Sequence, residues 1–341
     1  MDAASLIGID LGKHCFHLHA QDASGRMVFR KKLTRSQMLT LLGNVPCCTV
    51  VMEACAGAHW VARRIQSFGH QAKLISPQFV KPFLTGNKND FADAQAICEA
   101  ASRPSMRFVS PHNEAQQVVS ALHRVREGLV RDRTGTINQI HAFLLEFGVS
   151  LPKGTAVIRR LPAVLASESL PPRLIALLEG LQAHFKYLDE QIVQLERELM
   201  QQLREDERSQ RLLEIPGIGP ITASVLGTEL GDAQQFVSAR QFAASIGLVP
   251  RQYSTGGKPT LLGISKRGDK NLRRLLVQCA RTIIQHIERR SDRLGVWVRS
   301  LLSRRHSNVV ACALANKLAR IAWAILARGT HYQGEQAVAA A

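Results

Sequence analysis

Four acidic residues stand on three apolar segments near the start of the chain. Asp10 lies inside LIGIDLG, Glu53 ends TVVME, and Asp90 and Asp93 sit in NDFAD. Carboxylates delivered to one place from separate elements can hold divalent cations against phosphate. Two-metal phosphoryl-transfer sites use such oxygen ligands to clamp hard cations about 3.5 to 4 Å apart. Magnesium takes a few carboxylates together with water and the substrate's own phosphates. A single surface acid would mean little, but Asp10 lies within an apolar strand, where a carboxylate needs a partner. Asp90 and Asp93, three positions apart, share one face of a helix. The expected cofactor is Mg2+ or Mn2+, with Asp10, Glu53, Asp90 and Asp93 as its ligands.

A second set of residues lies far downstream. IPGIGP, residues 215–220, separates two helical segments in the manner of a helix-hairpin-helix. Gly217 and Gly219 would let backbone N–H groups reach a phosphate with no side chain between them, a contact that does not depend on base sequence. A plain tight turn between core helices is the alternative. YSTGGK, residues 253–258, is a polar loop containing Gly256 and Gly257, flanked by Arg251 and Lys258, with Lys266 and Arg267 further on. A hydroxyl there, Ser254 or Thr255, could attack a phosphodiester if the basic residues stabilise the developing charge. Taken alone, such a loop is more often a phosphate-binding turn than a source of a nucleophile.

The elements that must position these groups are legible from periodicity. Residues 5–12, 14–20 and 27–33 are predicted strands of an antiparallel meander. A helix over 36–42, a β-branched strand over 49–52, a helix over 60–68, a strand over 72–75 and a helix over 90–101 follow. His17 and His19 share a strand face opposite Phe16 and Leu18 and are expected to be solvated or packed on the sheet, not to bind metal. Residues 111–147 form a long helix with an apolar face and a basic face carrying Arg124, Arg126, Arg131 and Arg133. A link containing Pro and Ser covers 152–172. Leu178, Leu181, Phe185, Leu188, Ile192, Leu195 and Leu199 then alternate at spacings of three and four, a coiled-coil seam that could pack within the chain or against another.

Composition narrows the class. The 341 residues carry a net charge of +17, which points to a polyanionic partner. The charge is concentrated late: residues 251–330 hold 17 Lys or Arg against 3 Asp or Glu. No uninterrupted apolar run approaches the roughly 18 to 20 residues needed to span a bilayer, and MDAASLIGID lacks a basic leader region. Seven scattered cysteines without a CxxC pair are expected to be reduced thiols. These features predict a soluble cytoplasmic protein with no membrane partner.

The chain resembles the DEDD transposases of bacterial insertion sequences, the family that includes the Piv invertases and the bridge-RNA-guided recombinases. The resemblance is carried by GIDLGK at 8–13, MEACAG at 52–57, NKNDFADA at 87–94, IPGIGP at 215–220, RQFAASIGLVPRQYSTGG at 240–257 and GISKRGDKNLRRLL at 263–276. It implies an α/β N-terminal domain of the ribonuclease-H-like (RuvC-like) type over 1–110 and a helical, coiled-coil arm over 111–210. It also implies a mainly α-helical C-terminal transposase domain with a helix-hairpin-helix over 211–330, leaving 331–341 as a disordered tail. Asp10, Glu53, Asp90 and Asp93 correspond to the family's metal-binding tetrad. The family's serine, proposed to form a covalent phosphoserine link to DNA, falls on Ser254, with Thr255 as the fallback because its extra methyl crowds attack. The implied partners are donor and target DNA, a structured guide (bridge) RNA, and further copies of the chain in a dimer or tetramer associated with the bacterial nucleoid. The acids of one protomer would complete the site of another. The competing readings are a non-catalytic DNA- or RNA-binding protein, which leaves the acids unexplained, and an actin-like or sugar-kinase-like ATPase. The latter needs a second Asp-Gly phosphate motif, which the sequence lacks.

Overall fold

Alternating apolar residues at the start of the chain produce β1 (Leu6–Leu11), β2 (Cys15–Gln21) and β3 (Met27–Thr34), an antiparallel meander. The computed structural model describes residues 4–84 and 89–334. The chain divides into two compact units between Gln117 and Val118. In the first, α1 (Arg35–Asn44) begins at a capping box in which Thr34 and Gln37 satisfy each other's backbone N–H. It leads to β4 (Thr49–Glu53), and α2 (Ala58–Gln66) leads to β5 (Gln71–Ile75). Both strands run parallel to β1, which requires a crossover before each. After α3 (Pro77–Val80) and α4 (Asp90–Ala101), the two-residue β6 (Phe108–Val109) closes a sheet of order β3-β2-β1-β4-β5-β6. β6 was not expected, because two residues carry no periodicity.

The sheet is covered on both faces. Ile7, Ile9, Phe16, Leu18, Val50 and Met52 form one core with Met38 and Leu42 of α1 and Val61 and Ile65 of α2. On the other face Val51 and Ile75 meet Val80 of α3 and Ile97 and Ala100 of α4. Lys88 and Asn87, which precede α4, lie outside the described residues.

The second unit is mainly helical. α5 (Glu114–Glu146) and α7 (Pro172–Glu205) run antiparallel, as Arg126 with Glu196 and Arg133 with Asp189 demonstrate: seven residues forward on one helix is seven back on the other. The segment 152–172, expected as a link, contains α6 (Ala156–Ser167) with Pro162 inside it. Val157, Ile158 and Leu161 bury a helical stripe against Ile137, Ile140 and Leu144 of α5 and Leu178 and Phe185 of α7, which outweighs the one hydrogen bond Pro162 cannot donate. At this end the α7 seam therefore packs within its own chain. Arg126 and Arg133, expected on a basic face, are paired inside the unit.

Beyond α8 (Glu207–Arg211) the core is built from α9 (Pro220–Leu230), α10 (Ala239–Ser245), α11 (Lys270–Gln285), α12 (Arg293–Leu302) and α13 (Ser307–Arg328). α13 is long and apolar enough to cross a bilayer by length and composition, although Lys317 and Arg320 interrupt its apolar run. Its Val310, Leu314, Leu318, Ala322 and Ile325 are buried among the other helices of this core, which accounts for its apolar character. Between α10 and α11 the chain forms a hairpin, β7 (Pro250–Thr255) and β8 (Lys258–Ile264), where a loop was expected. At the far end His331 Nδ1 and the Tyr332 N–H meet the Glu214 carboxylate at 2.6 and 2.9 Å, and residues 335–341 lie outside the described residues.

Candidate active site

Parallel pairing of β1 with β4 sets Ile9 opposite Met52, so Asp10 and Glu53 come next to each other at the carboxyl ends of neighbouring strands. Strand alternation puts Gly8 and Asp10 on the face covered by α4, together with Val51 and Glu53. Gly8 is what lets α4 lie so close. A Cβ there would stand 2.4 Å from the Ala94 carbonyl oxygen and 2.7 Å from Cys98 Sγ. Asn89 caps α4 by accepting the Phe91 N–H at 3.0 Å, which places Asp90 and Asp93 in its first turn. Negative charge is stabilised at that end by the helix dipole.

The electrostatics follow from this placement. Burial pushes the Glu53 carboxyl above its ordinary range, and the charges of Asp10 and Asp93 push it further. Cys55, just past β4, is raised by burial and by the charges of Glu53 and Asp10. A fourth element contributes a residue the sequence reading set aside. His17 on β2 is paired directly with Asp10 on β1. Its Nδ1 lies 4.0 Å from Asp10 Oδ2 and 3.6 Å from Asp90 Oδ2. Ligand atoms of Asp10, His17 and Asp90 all fall within 4.8 Å of one another. The His17 ring is held edge-on by Phe91 at 4.7 Å, and the Arg30 guanidinium covers Phe91 at 4.7 Å. The missed signal was the meander register: alternation already put His17 on the face opposite Phe16 and Leu18, the face that Asp10 shares.

This donor set fits a divalent cation. Carboxylates gathered in one place, with Glu53 raised partly by the charges of its neighbours, are the groups a cation stabilises. Asp10, Glu53, Asp90 and Asp93 supply the hard oxygen atoms that magnesium or manganese take.

The downstream residues lie in the second unit. Ser254, Thr255, Gly256, Gly257, Lys258 and Arg251 all belong to the β7–β8 hairpin, whose residues are exposed from Pro250 to Gly263. Gly256 and Gly257, at φ of 56° and 76°, make its two-residue turn, a conformation in which side chains are strained. Ser254 pairs with Pro259 and Thr255 with Lys258, so the two hydroxyls point to opposite faces. Gln252 Nε2 donates to Ser254 Oγ at 2.7 Å. Lys266 and Arg267 occupy the turn before α11, which Arg273 Nη1 ties down by donating to the carbonyls of Ile246 and Arg267, each at 2.9 Å. Gly217 and Gly219 precede α9. The site of a Gly217 Cβ is already filled by Ile283 Cγ1 at 2.7 Å, whereas Gly219 faces open space.

Comparison with known proteins accounts for both ends of the chain. Residues 7–148 match a family model of the DEDD type of IS110 elements, described as Transposase. Residues 209–294 match one described as Transposase IS116/IS110/IS902 family. The transposase for insertion sequence element IS1328 of Yersinia enterocolitica is 62% identical over 330 residues, covering 97% of this chain and 99% of that protein. The transposase for insertion sequence element IS1111A of Coxiella burnetii is 42% identical over 337 residues, covering 98% and 92%. The chain belongs to the IS110/IS116 family of DEDD transposases. It is thus a DNA transposase, and the ATPase and the non-catalytic binder are set aside. The mixed α/β sheet followed by a mainly helical region is consistent with that family, whose members generally depend on divalent metal.

Proposed function

We propose that this transposase cuts and rejoins DNA with Asp10, Glu53, Asp90 and Asp93 holding Mg2+ or Mn2+ and Ser254 acting as nucleophile. The observation that carries the metal reading is the convergence of carboxylates from β1, β4 and α4, marked by the raised Glu53. The bound metal would neutralise charge on the phosphate under attack. The Ser254 oxygen attacks the phosphorus of a DNA phosphodiester, a bond from phosphorus to that oxygen forms, and the bond to a deoxyribose oxygen breaks. The hydroxyl proton ends on the released deoxyribose oxygen, so one ester is exchanged for another and rejoining is the reverse. Exposure of Ser254 on the hairpin supports its access to a duplex, and Thr255 is the fallback.

Arg251 and Lys258 carry positive charge on the serine's own hairpin, Lys266 and Arg267 carry it at the hairpin's base, and Gly256 and Gly257 shape the turn that presents the serine. The turn at Gly217 and Gly219 is read as a contact to the DNA backbone. The acids and the serine belong to different units, which suits a homodimer or tetramer in which protomers complete each other's sites. The charge between residues 251 and 330 supports binding of donor and target DNA and of a structured guide RNA in the bacterial cytoplasm, at the nucleoid. Asp10→Asn tests the metal reading. The variant should retain DNA binding in gel-shift assays and lose strand exchange on a plasmid carrying the element ends. Recombination by that variant would overturn the role of the acids.

A further inference from the structure

We infer that His17 is a nitrogen ligand of the metal site, biasing one position toward first-row transition ions over Mg2+. The inference deepens the metal reading above and rests on it. His17 is 6% exposed, and its Nδ1 is directed at two carboxylates from different elements. Its separations from Asp90 and Asp10, 3.6 and 4.0 Å, are too long for hydrogen bonds. They suit donors sharing one cation. Two atoms each about 2.1 Å from an ion are about 3.0 Å apart at a right angle and about 4.2 Å apart when opposite. Both observed separations fall between these limits.

The ring is also held in place before any ion arrives. Backbone pairing with Asp10 fixes its position along β2, and the edge contact with Phe91 at 4.7 Å and 78° restricts its rotation. Phe91 itself stands between Asp90 and Asp93 in the first turn of α4, so a single helical turn carries two carboxylates and the clamp on the imidazole. His19, two residues on and facing the same way, differs: Gln21 Nε2 lies 3.3 Å from its Nε2. An imidazole donor favours transition ions and offers little to Mg2+, whose preference is for oxygen.

The test uses the full chain with Mn2+ as probe. Electron spin-echo spectra of the wild-type protein loaded with Mn2+ should contain modulation from a directly bound 14N nucleus, and His17→Gln should lose it. Titration calorimetry should give a Mn2+ affinity at least about tenfold weaker in His17→Gln, since even outer partners of a metal ligand are worth about 10- to 100-fold. Mg2+ affinity should be unchanged, and His19→Gln should alter neither. Wild-type protein that binds Mn2+ without nitrogen coupling overturns the inference while leaving the carboxylate reading intact, and that spectrum decides the matter even if His17→Gln fails to fold. Equal weakening toward Mn2+ and Mg2+, or the same loss in His19→Gln, also overturns it, because the effect would then be one of sheet packing. Absence of any Mn2+ binding by the wild-type protein would refute the carboxylate reading itself.

Discussion

Replacing Gly8 by alanine should disable the acidic site without unfolding the protein. The new Cβ would stand 2.4 Å from the Ala94 carbonyl oxygen, and ordinary contact begins near 3.4 Å, so α4 must retreat from β1 by about 1 Å. The obstacle is backbone, and no side-chain rotation relieves it. Asp10 rides on β1, Asp90 and Asp93 ride on α4, and the distance between the two sets changes by a similar amount. Metal ligands tolerate only about 0.2 Å, and a misplacement of about 1 Å at a reacting centre costs about 10²-fold in rate. Overpacking should cost about 1–3 kcal/mol, which leaves most proteins of ordinary stability folded. The assay is plasmid strand exchange at saturating Mg2+, alongside urea unfolding of the same preparation. Gly43→Ala in α1 is the control: its Cβ meets nothing within 4 Å, and the substitution should raise stability by about 0.5–1 kcal/mol with activity unchanged. A folded Gly8→Ala protein with wild-type strand exchange would refute the reasoning, since it would separate the helix–strand approach from the placement of the acids.

Further outcomes follow from the second unit. Ser254→Ala should abolish a protein–DNA adduct that survives denaturation, and Thr255→Ser should retain it; an adduct in the Ala variant on a denaturing gel would transfer the role to Thr255, on the opposite face of the hairpin. Glu229 is pushed up to about 7 by burial and by the Asp269 charge, against the opposing pull of Arg124. Between the ordinary glutamate value and that one, the folded state keeps a proton that the unfolded chain has lost, so stability should fall as pH rises through this window. Glu229→Gln should flatten the slope of urea midpoints against pH and gain on the order of 3 kcal/mol at about pH 8. DNA affinity measured by fluorescence anisotropy should fall linearly on logarithmic axes as salt increases, with Lys258→Ala reducing the slope by about 1. An unchanged slope would remove Lys258 from the phosphate contacts.

Much of the fold was legible because local patterns agreed with the final structure. The order of β1 to β5 with α1, α2 and α4, and the bounds of α4, followed from alternation, β-branching and helical periodicity, whereas the short α3 did not. Elements held by tertiary contact alone were not. β6 is two residues long, and α6 contains a proline that argues against a helix until its buried stripe is seen against α5 and α7. The hairpin reads as a loop because both of its faces are exposed, and the strand signal rests on one buried apolar face.

The sequence by itself singled out Asp10, Glu53, Asp90 and Asp93 as acids carried on three separate recognisable elements. It also determined the polyanionic partner, because net charge needs no coordinates. Only the tertiary structure decided that His17 joins them. The pairing of Asp10 with His17 depends on the register of two strands and the seating of α4 above them. Spacing along the chain cannot express this, because the ligand atoms are brought together by hydrogen bonds between strands and not by the period of either one.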